Sequence, residues 1–468
     1  MIASARLAAY DVLRAVNSGR SDLPSALAWV RPRLTDERDR ALAGEIATGT
    51  LRWQGAFDAI IEAFAKRPLA KLDAEVVDIL RMTAFQLLHL DRIPAAAAVN
   101  DAVALTGKVG KKSASGLVNA VLRRISRERD QLPLPPHPGK VAGTFPEKVA
   151  GTFPGKVPAT FLRDYLATTL SHPQWLVAKW LDRYGFEAAE RWALFDNEPA
   201  PLTLRVNTLR LTRDDLAERL KAFDVETEPT RFARDGLTVR AGNPLLTPIA
   251  GDGLFLVQDE SSQLVAELTT AAPGERILDA CASPGGKTMA MVAAMGNRGL
   301  IAATDVRGRR VELLKRTIDA ARATCVHVIR ADVSSALPFA PVFDAVLLDA
   351  PCSGLGTLRR DPDIRWRRTQ ADVERLATIQ SGMLDRVADV VVPGGRVVYA
   401  TCSGEPEENE DVVCRFLEHR RDFVLKSDRI PQRLASFVTA AGHFRTLPFR
   451  DSLEAFFGAI LVKTKDLR

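Results

Sequence analysis

The stretch "RILDACASPGGKTMAMVAAM", residues 276–295, decides the fold of the C-terminal part of this chain. Its first residues form an apolar run that predicts a strand, Pro284, Gly285 and Gly286 predict a tight turn, and the remainder predicts a helix. Four more apolar runs follow, and helical patterns alternate with them. The runs are "GLIAATD", "VHVIRAD", "FDAVLLDA" and "GRVVYATC". Apolar runs that alternate with helical patterns are typical of a parallel β-sheet covered by helices on both faces.

The loop after the first of these strands, residues 281–287, is a candidate ligand-binding segment. Ligands of such sheets bind beyond the carboxyl ends of the strands, and glycines let the backbone approach a ligand closely. A P-loop needs a glycine where Cys281 stands, and the pattern G-x-G-x-x-G is absent, so we expect neither ATP phosphates nor NAD here. A plain strand-to-helix turn is the alternative. The loop residues are Cys281, Ala282, Ser283, Pro284, Gly285, Gly286 and Lys287.

Acidic residues follow the next two predicted strands. Asp305 ends the second strand, where a carboxylate can accept hydrogen bonds from ribose hydroxyls. Asp332 follows the third strand and is placed to meet an adenine amino group. Each of them taken singly is equally well a solvated loop aspartate. Together with the glycine loop, they predict a pocket for an adenosine-bearing cofactor that is not a nucleoside triphosphate.

Two nearly identical pentapeptides follow the fourth and fifth predicted strands. They are "APCSG" (Ala350–Gly354, the Pro-Cys segment) and "ATCSG" (Ala400–Gly404, the Thr-Cys segment). Asp349, Cys352 and Cys402 are therefore expected at the same edge of the sheet as the ligand loop, where a thiol can meet a substrate. A free cysteine is more often a small buried hydrophobe, which is what we expect of the cysteines at 325 and 414.

Charge, cysteine content and the length of the apolar runs limit the kinds of partner, compartment and site to expect. The chain has 468 residues and a net charge of +6, which favours a polyanionic partner such as nucleic acid, although a basic enzyme without such a partner fits as well. Its five cysteines form no C-x-x-C pair, so we expect free thiols in a reducing cytoplasm and no disulfide framework. The scattered histidines predict no metal site, and no apolar run is long enough for a membrane span.

The rest of the chain divides into further segments. Residues 1–130 predict an all-helical domain whose basic end is either a solvated surface or a phosphate-binding face. Residues 131–161 predict a linker, in which 139–161 repeat with a period of eight. Residues 162–250 predict a helical and α+β subdomain, and residues 251–468 the catalytic domain.

Several of these stretches resemble the S-adenosylmethionine-dependent RNA cytosine-C5 methyltransferases. The matching stretches are "DACASPGGKT", "TDV", "LLDAPCSGLG", "YATCSGEPEENEDVV", "SHPQWLVAKWLDRYG", "LRVNTLR" and "VQDESSQL". The first 130 residues resemble the NusB-type RNA-binding domain of the branch that modifies small-subunit ribosomal RNA, the RsmB or Sun branch. The resemblance implies a multidomain protein with an all-α NusB-like N-terminal domain and an α/β Rossmann-like class I methyltransferase domain.

The resemblance also implies roles for single residues. Cys402 would attack the base and Cys352 would help to release the product. Asp349 would contact cytosine N3 or N4 and also border the cofactor. The loop from Cys281 to Lys287 would wrap the methionine part of S-adenosylmethionine, with Asp305 on its ribose and Asp332 near its adenine. Lys287 would serve the cofactor, a substrate phosphate or the helix start, in that order.

The predicted function is methylation of cytosine C5 in small-subunit (16S) ribosomal RNA through a covalent cysteine–C6 adduct. The same reaction on transfer RNA, or an RNA-binding assembly factor without catalysis, is the alternative. We expect a monomer whose partner is free or partly assembled small-subunit RNA, and no membrane partner. The segment "RRDPDIRWRRTQ" (359–370) is expected either to contact RNA phosphates and stack a base on Trp366, or to be a solvated basic loop.

Overall fold

The computed structural model describes residues 2–140 and 157–465. The chain forms two units: unit 1 comprises Met1–Pro199 and Leu358–Arg367, and unit 2 comprises Ala200–Thr357 and Arg368–Arg468. Residues 141–156, which hold most of the predicted eight-residue repeat, lie outside the described residues.

Unit 1 is helical throughout its described part, which confirms the predicted all-α N-terminal domain. In the first helix, Ala5, Ala9, Leu13 and Val16 recur at helical spacing and are buried in one apolar core. Gly49 lets the third helix approach the fifth, because a Cβ atom there would lie 2.0 Å from the ring of Phe85. The helices are α1 (Ser4–Asn17), α2 (Leu23–Val30), α3 (Glu37–Arg52), α4 (Gln54–Ala65), α5 (Ala74–His89), α6 (Ala95–Lys108), α7 (Ser115–Arg127), α8 (Ala159–Asp164), α9 (Gln174–Tyr184) and α10 (Phe186–Asn197).

The segment Leu358–Arg367 is part of unit 1 and contains the short helix Ile364–Arg367. The guanidinium of Arg365 is fully buried and donates to the backbone carbonyls of Arg52 and Ser171 and to Oδ1 of Asn197. The indole N–H of Trp366 donates to the carbonyl of Leu51 at 2.6 Å. The prediction of an RNA contact is therefore wrong for Arg365, because its side chain is fully buried and its Nη1 and Nη2 groups already bond protein acceptors.

A four-stranded antiparallel sheet opens unit 2, in the order β2-β3-β1-β4. Its strands are β1 (Thr203–Val206), β2 (Glu226–Pro229), β3 (Gly236–Ala241) and β4 (Phe255–Val257). The helix α11 (Arg213–Lys221) follows β1, and a capping box between Thr212 and Asp215 fixes its start. The predicted order of strand, turn and helix over this stretch is confirmed.

The larger sheet of unit 2 has the order β10-β12-β9-β8-β5-β6-β7, with β11 paired to β12. The five predicted strands run parallel, as expected, but the sheet continues with antiparallel strands beyond β9. The sheet is therefore mixed, and the prediction of a purely parallel sheet was incomplete. Its strands are β5 (Arg276–Asp279), β6 (Leu300–Asp305), β7 (Val326–Arg330), β8 (Phe343–Asp349), β9 (Val391–Thr401), β10 (Phe423–Leu425), β11 (Phe444–Thr446) and β12 (Phe456–Lys463).

Both faces of this sheet are covered, which confirms the predicted α/β class. Successive residues of β5 and β6 point to opposite faces: Ile277 and Ile301 enter one apolar core, whereas Leu278 and Ala302 enter the other. The remaining helices of unit 2 are α12 (Glu260–Glu267), α13 (Gly286–Ala294), α14 (Gly308–Ala321), α16 (Gln370–Asp389), α17 (Glu410–His419) and α18 (Pro448–Asp451), where α15 is the helix Ile364–Arg367 of unit 1.

Among the described residues, no helix combines the length and the apolar character that crossing a membrane would require.

Candidate active site

The order of the strands creates a crevice between β5 and β8. The chain proceeds from β5 to β6 and β7 on one side and then continues with β8 and β9 on the other, and ligands of open α/β sheets bind at such a switch point. A cavity of about 410 Å³, here called the strand-end cavity, lies at the carboxyl ends of these strands. Seven predicted site residues line it: Cys281, Ser283, Asp305, Asp332, Asp349, Cys352 and Cys402.

The other five predicted residues belong to the ligand loop but do not line this cavity. They are Ala282, Pro284, Gly285, Gly286 and Lys287. Gly285 has a φ of +108°, and a Cβ atom there would lie 3.0 Å from Cδ1 of Leu314. Ser283 donates through Oγ to the carbonyl of Arg310 at 2.9 Å, and Arg310 donates through Nη2 to the carbonyl of Ser283 at 2.6 Å. These contacts hold the loop against α14.

Asp305 and Asp332 are fixed in the cavity wall by short-range contacts. Asp305 is buried, accepts a hydrogen bond from the backbone of Arg307 and pairs with Nε of Arg310 at 3.2 Å. Asp332 accepts from the hydroxyl and the backbone N–H of Ser334, and these bonds lower the pKa of its carboxyl. The cavity therefore presents two oriented acceptors.

Sequence reasoning missed Asp279, at the end of β5. Its Oδ2 accepts a hydrogen bond from Oγ1 of Thr288 at 2.7 Å, and its Oδ1 has no hydrogen-bond partner among the described residues. Burial raises the pKa of Asp279 to about 7, and the nearby carboxylates of Asp349 and Asp305 add to the effect of burial. An acidic residue inside the apolar run "RILDA" was the available signal.

This buried carboxyl predicts a pH-dependent stability. Because the pKa of Asp279 rises from its ordinary 3.8 to about 7 on folding, the folded chain holds a proton in this window that the unfolded chain has lost. The free energy of unfolding therefore falls as pH rises through the window. Asp279→Asn keeps an acceptor for Thr288 and cannot ionise. Over the same pH range its free energy of unfolding should therefore fall by on the order of 2 kcal/mol less than that of the parent chain. Denaturant unfolding of both proteins across this pH range tests this, and parallel curves would contradict it.

Lys287 and Asp349 form an ion pair at the carboxyl ends of the strands. Nζ of Lys287 lies 2.7 Å from Oδ2 of Asp349, with the lysine side chain 13% exposed and the aspartate 28%. Burial opposes the charge on Lys287, but the carboxylate of Asp349 outweighs it, and the pKa of Lys287 is raised. A negative charge on Cys402 acts in the same direction on the pKa of Lys287.

The two similar pentapeptides bring the two thiols together. The strands β8 and β9 are parallel neighbours with Asp349 opposite Ala400, and the backbone of Ala350 donates to the carbonyl of Ala400 at 2.9 Å. The Pro-Cys and Thr-Cys segments therefore leave the sheet side by side. The Sγ atoms of Cys352 and Cys402 lie 3.2 Å apart and share a hydrogen bond, in the wall of the strand-end cavity.

The cysteines of the cavity differ in their tendency to ionise. The hydrogen bond to Cys402, burial and the negative charge of Glu408 all raise the pKa of Cys352. Burial and the carboxylates of Asp349, Asp279 and Asp305 raise the pKa of Cys281, which therefore remains a neutral thiol. The thiolate is the nucleophilic form of a cysteine, so the surroundings of Cys352 and Cys281 disfavour nucleophilic attack by either of them.

Gly356, four residues after Cys352, allows a close backbone approach beside the thiols. A Cβ atom there would lie 2.0 Å from the carbonyl oxygen of Ala455 and 2.9 Å from that of Cys402. Backbone atoms cannot move aside cheaply, so Gly356→Ala should destabilise the chain by about 2 kcal/mol or more and lower its activity by displacing Cys402.

Gly382 provides the matched control for this substitution. It lies in α16, and a Cβ atom there would meet nothing within 4 Å. Gly382→Ala should leave activity unchanged and stabilise the helix by up to about 1 kcal/mol. Chemical denaturation and an activity assay of the two variants test the pair, and equal stabilities would show that the close approach at Gly356 is not restrictive.

Family models match three parts of the chain. The model of the NusB family matches residues 3–127, the ferredoxin-like domain of the RsmF/B-like methyltransferases matches residues 172–245, and the model described as 16S rRNA methyltransferase RsmB/F matches residues 266–462. The "Probable ribosomal RNA small subunit methyltransferase B" of Bacillus subtilis is 34% identical over 426 residues, which cover 90% of each chain. The chain belongs to the RsmB/F family of RNA methyltransferases.

A second curated relative and two solved structures are also similar to the chain. The ribosomal RNA small subunit methyltransferase B of Pseudomonas putida is 35% identical over 88% of each chain. The solved structure of PH0851 shares the fold over 99% of both chains, with a TM-score of 0.77 at 23% identity. A methyltransferase homolog from Pyrococcus horikoshii superposes with a TM-score of 0.56 at 27% identity, over 66% of this chain and all of that one.

RsmB/F enzymes use S-adenosylmethionine, and the strand-end cavity fits this cofactor. Its carboxylates Asp305, Asp332 and Asp349 offer acceptors and negative charge to a ligand that carries hydroxyl, amino and sulfonium groups. Val306 and Ile379 line the cavity although they are about half and one-third exposed, so they offer apolar surface to a flat ring. The predicted cofactor is therefore confirmed as S-adenosylmethionine.

Proposed function

We propose that this chain methylates C5 of a cytosine in small-subunit (16S) ribosomal RNA through a covalent bond between Cys402 and C6 of the base. The observation that carries the proposal is the pair of thiols 3.2 Å apart in the cavity wall. A methyltransferase that acts on a heteroatom needs no thiol pair, whereas C5 of cytosine is a poor nucleophile that covalent attack at C6 activates. The names of the B. subtilis and P. putida relatives support the ribosomal substrate.

The first step is addition of the Cys402 thiolate to C6. The sulfur donates an electron pair to C6, and the electrons of the C5–C6 double bond move toward C5 and the ring. The addition places negative charge on the ring, which a proton passed to N3 through the carboxyl of Asp349 would neutralise. The same carboxyl could instead accept a hydrogen bond from the N4 amino group, and Lys287 holds it in place. When bound, S-adenosylmethionine supplies the electrophilic methyl group that C5 accepts, and the cavity residues Cys281, Ser283, Asp305 and Asp332 would hold it.

Release requires that the adduct be broken. A base removes the proton on C5, the electrons of that bond restore the C5–C6 double bond, and the C6–S electrons return to Cys402. The thiol of Cys352 would assist this step by donating a hydrogen bond to the departing sulfur, since the two sulfur atoms already share a hydrogen bond. Cys352 keeps its own proton in this step, in agreement with its raised pKa.

Transfer of a radiolabelled methyl group tests the substrate. Purified 16S ribosomal RNA from cells that lack the enzyme should accept label, and bisulfite sequencing should then place 5-methylcytosine at a defined position. Transfer RNA should accept none. Labelling of transfer RNA alone would assign the same chemistry to the alternative substrate. Incorporation of label into 16S RNA without any cytosine that resists bisulfite conversion would contradict C5 methylation.

A further inference from the structure

Glu408 lies behind the two thiols and is fully buried. Its Oε1 accepts a hydrogen bond from the backbone N–H of Ser353 at 2.7 Å and from Nε2 of Gln380 at 3.0 Å. Its Oε2 accepts from the hydroxyl of Ser353 at 2.5 Å. Ser353 directly follows Cys352, so the carboxylate holds the Pro-Cys segment through both donors of one residue.

The Thr-Cys segment is held by Asn409, the residue that follows Glu408. Asn409 donates through Nδ2 to the carbonyl of Ser403 at 2.9 Å, and its Oδ1 accepts a hydrogen bond from the hydroxyl of Thr401. The hydroxyls of Ser353 and Ser403 lie 3.3 Å apart. The two segments thus have similar sequences and similar supports, but an anion supports Cys352 and a neutral amide supports Cys402.

We propose that Glu408 is a positioning residue that distinguishes the two thiols: its charge behind Cys352 leaves Cys402 as the sulfur that attacks the base. This inference rests on the proposed covalent mechanism and names the residue that assigns its two roles. Glu408 does not line the strand-end cavity, so it acts through Cys352 and not on the substrate.

The surrounding charges support this asymmetry. The titratable groups that act on Cys352 are Cys402 and Glu408, and Tyr399 lies close enough to respond to a charge on Cys352. Both Cys402 and Glu408 disfavour a thiolate at Cys352. The cation of Lys287, in contrast, responds to Cys402. The charges around the two sulfurs therefore differ, although their sequence motifs are almost the same.

The variant Glu408→Gln removes the charge and keeps the contacts. The amide oxygen can accept from the Ser353 backbone and from Gln380, and the amide nitrogen can donate to the Ser353 hydroxyl. In the full chain with Cys402→Ser, alkylation of Cys352 by iodoacetamide is followed against pH by mass spectrometry of its peptide. Adding Glu408→Gln should move the profile to lower pH and speed alkylation roughly threefold or more on its rising limb. Superimposed profiles from two folded proteins would overturn the proposal.

Two controls separate charge from loosened structure. Glu407→Gln removes the same charge one residue away, at a side chain that accepts from Nε2 of Gln370, and should leave the profile in place. Ser353→Ala loses the hydroxyl bond and keeps the charge, so it should shift the profile much less than Glu408→Gln. An equal shift in either control would overturn the assignment to the Glu408 charge.

A second measurement uses RNA that contains 5-fluorocytidine. Fluorine at C5 cannot leave as a cation, so the adduct persists and its peptide identifies the attacking cysteine. The RNA should be linked to Cys402 in the parent chain, and to either Cys352 or Cys402 in a mixture of adducts in Glu408→Gln. Linkage of Glu408→Gln through Cys402 alone would overturn the inference. Failure of the parent chain to form any adduct would contradict the proposed function instead, and the alkylation profiles would still decide whether Glu408 sets the charge state of Cys352.

Discussion

Replacing Cys402 with alanine should abolish methyl transfer, with a loss of at least about a thousandfold, because no other group in the cavity can form the bond to C6. The Cys352 thiol is neutral and Cys281 is held neutral by burial and by three carboxylates, so neither supplies a thiolate in its place. Initial rates of radiolabel incorporation into 16S RNA at saturating RNA measure the loss.

Cys414 gives the matched control for this experiment. It is exposed on α17, so the prediction that it is buried was wrong, and it does not line the strand-end cavity. Cys414→Ala should therefore retain the full rate. Turnover of Cys402→Ala within about tenfold of the parent rate would contradict nucleophilic attack by this residue.

Replacing Cys352 with alanine should have a different effect: the enzyme should accumulate as a covalent adduct with its RNA. Attack by Cys402 remains possible, but the departing sulfur loses the hydrogen-bond donor that lies 3.2 Å away. A slowly migrating protein–RNA band on a denaturing gel should appear, and multiple turnover should fall by at least about a hundredfold.

The double variant Cys352→Ala/Cys402→Ala controls for non-specific crosslinking and should give no slow band. A single Cys352→Ala variant that turns over normally without such a band would make Cys352 a structural residue and would remove the release step proposed above.

Much of the cavity could be predicted because its residues follow predicted strands. Cys281, Asp305, Asp332 and Asp349 each stand at or just beyond the end of an apolar run, and parallel strands bring such ends to one edge of a sheet. The pairing of the two thiols had a similar signal, since two related pentapeptides after adjacent strands leave the sheet side by side.

Other features could not be predicted, because they depend on contacts between distant segments. Glu408 is one acidic residue among several in "EPEENED", and nothing local shows that it meets Ser353, 55 positions earlier. Arg365 lies in a basic segment that local sequence cannot distinguish from a solvated loop, yet its partners stand far from it in the chain. The antiparallel strands β10 and β11 were missed because they have only three residues each.

We propose a bond between the sulfur of Cys402 and C6 of the target cytosine. Reaction of the unaltered chain with a 16S RNA fragment in which 5-fluorocytidine replaces cytidine, followed by digestion and tandem mass spectrometry, detects this bond. We expect one nucleotide-bearing peptide, with the added mass on Cys402. A nucleotide on Cys352 in its place, or methylated RNA without any modified cysteine, would contradict it.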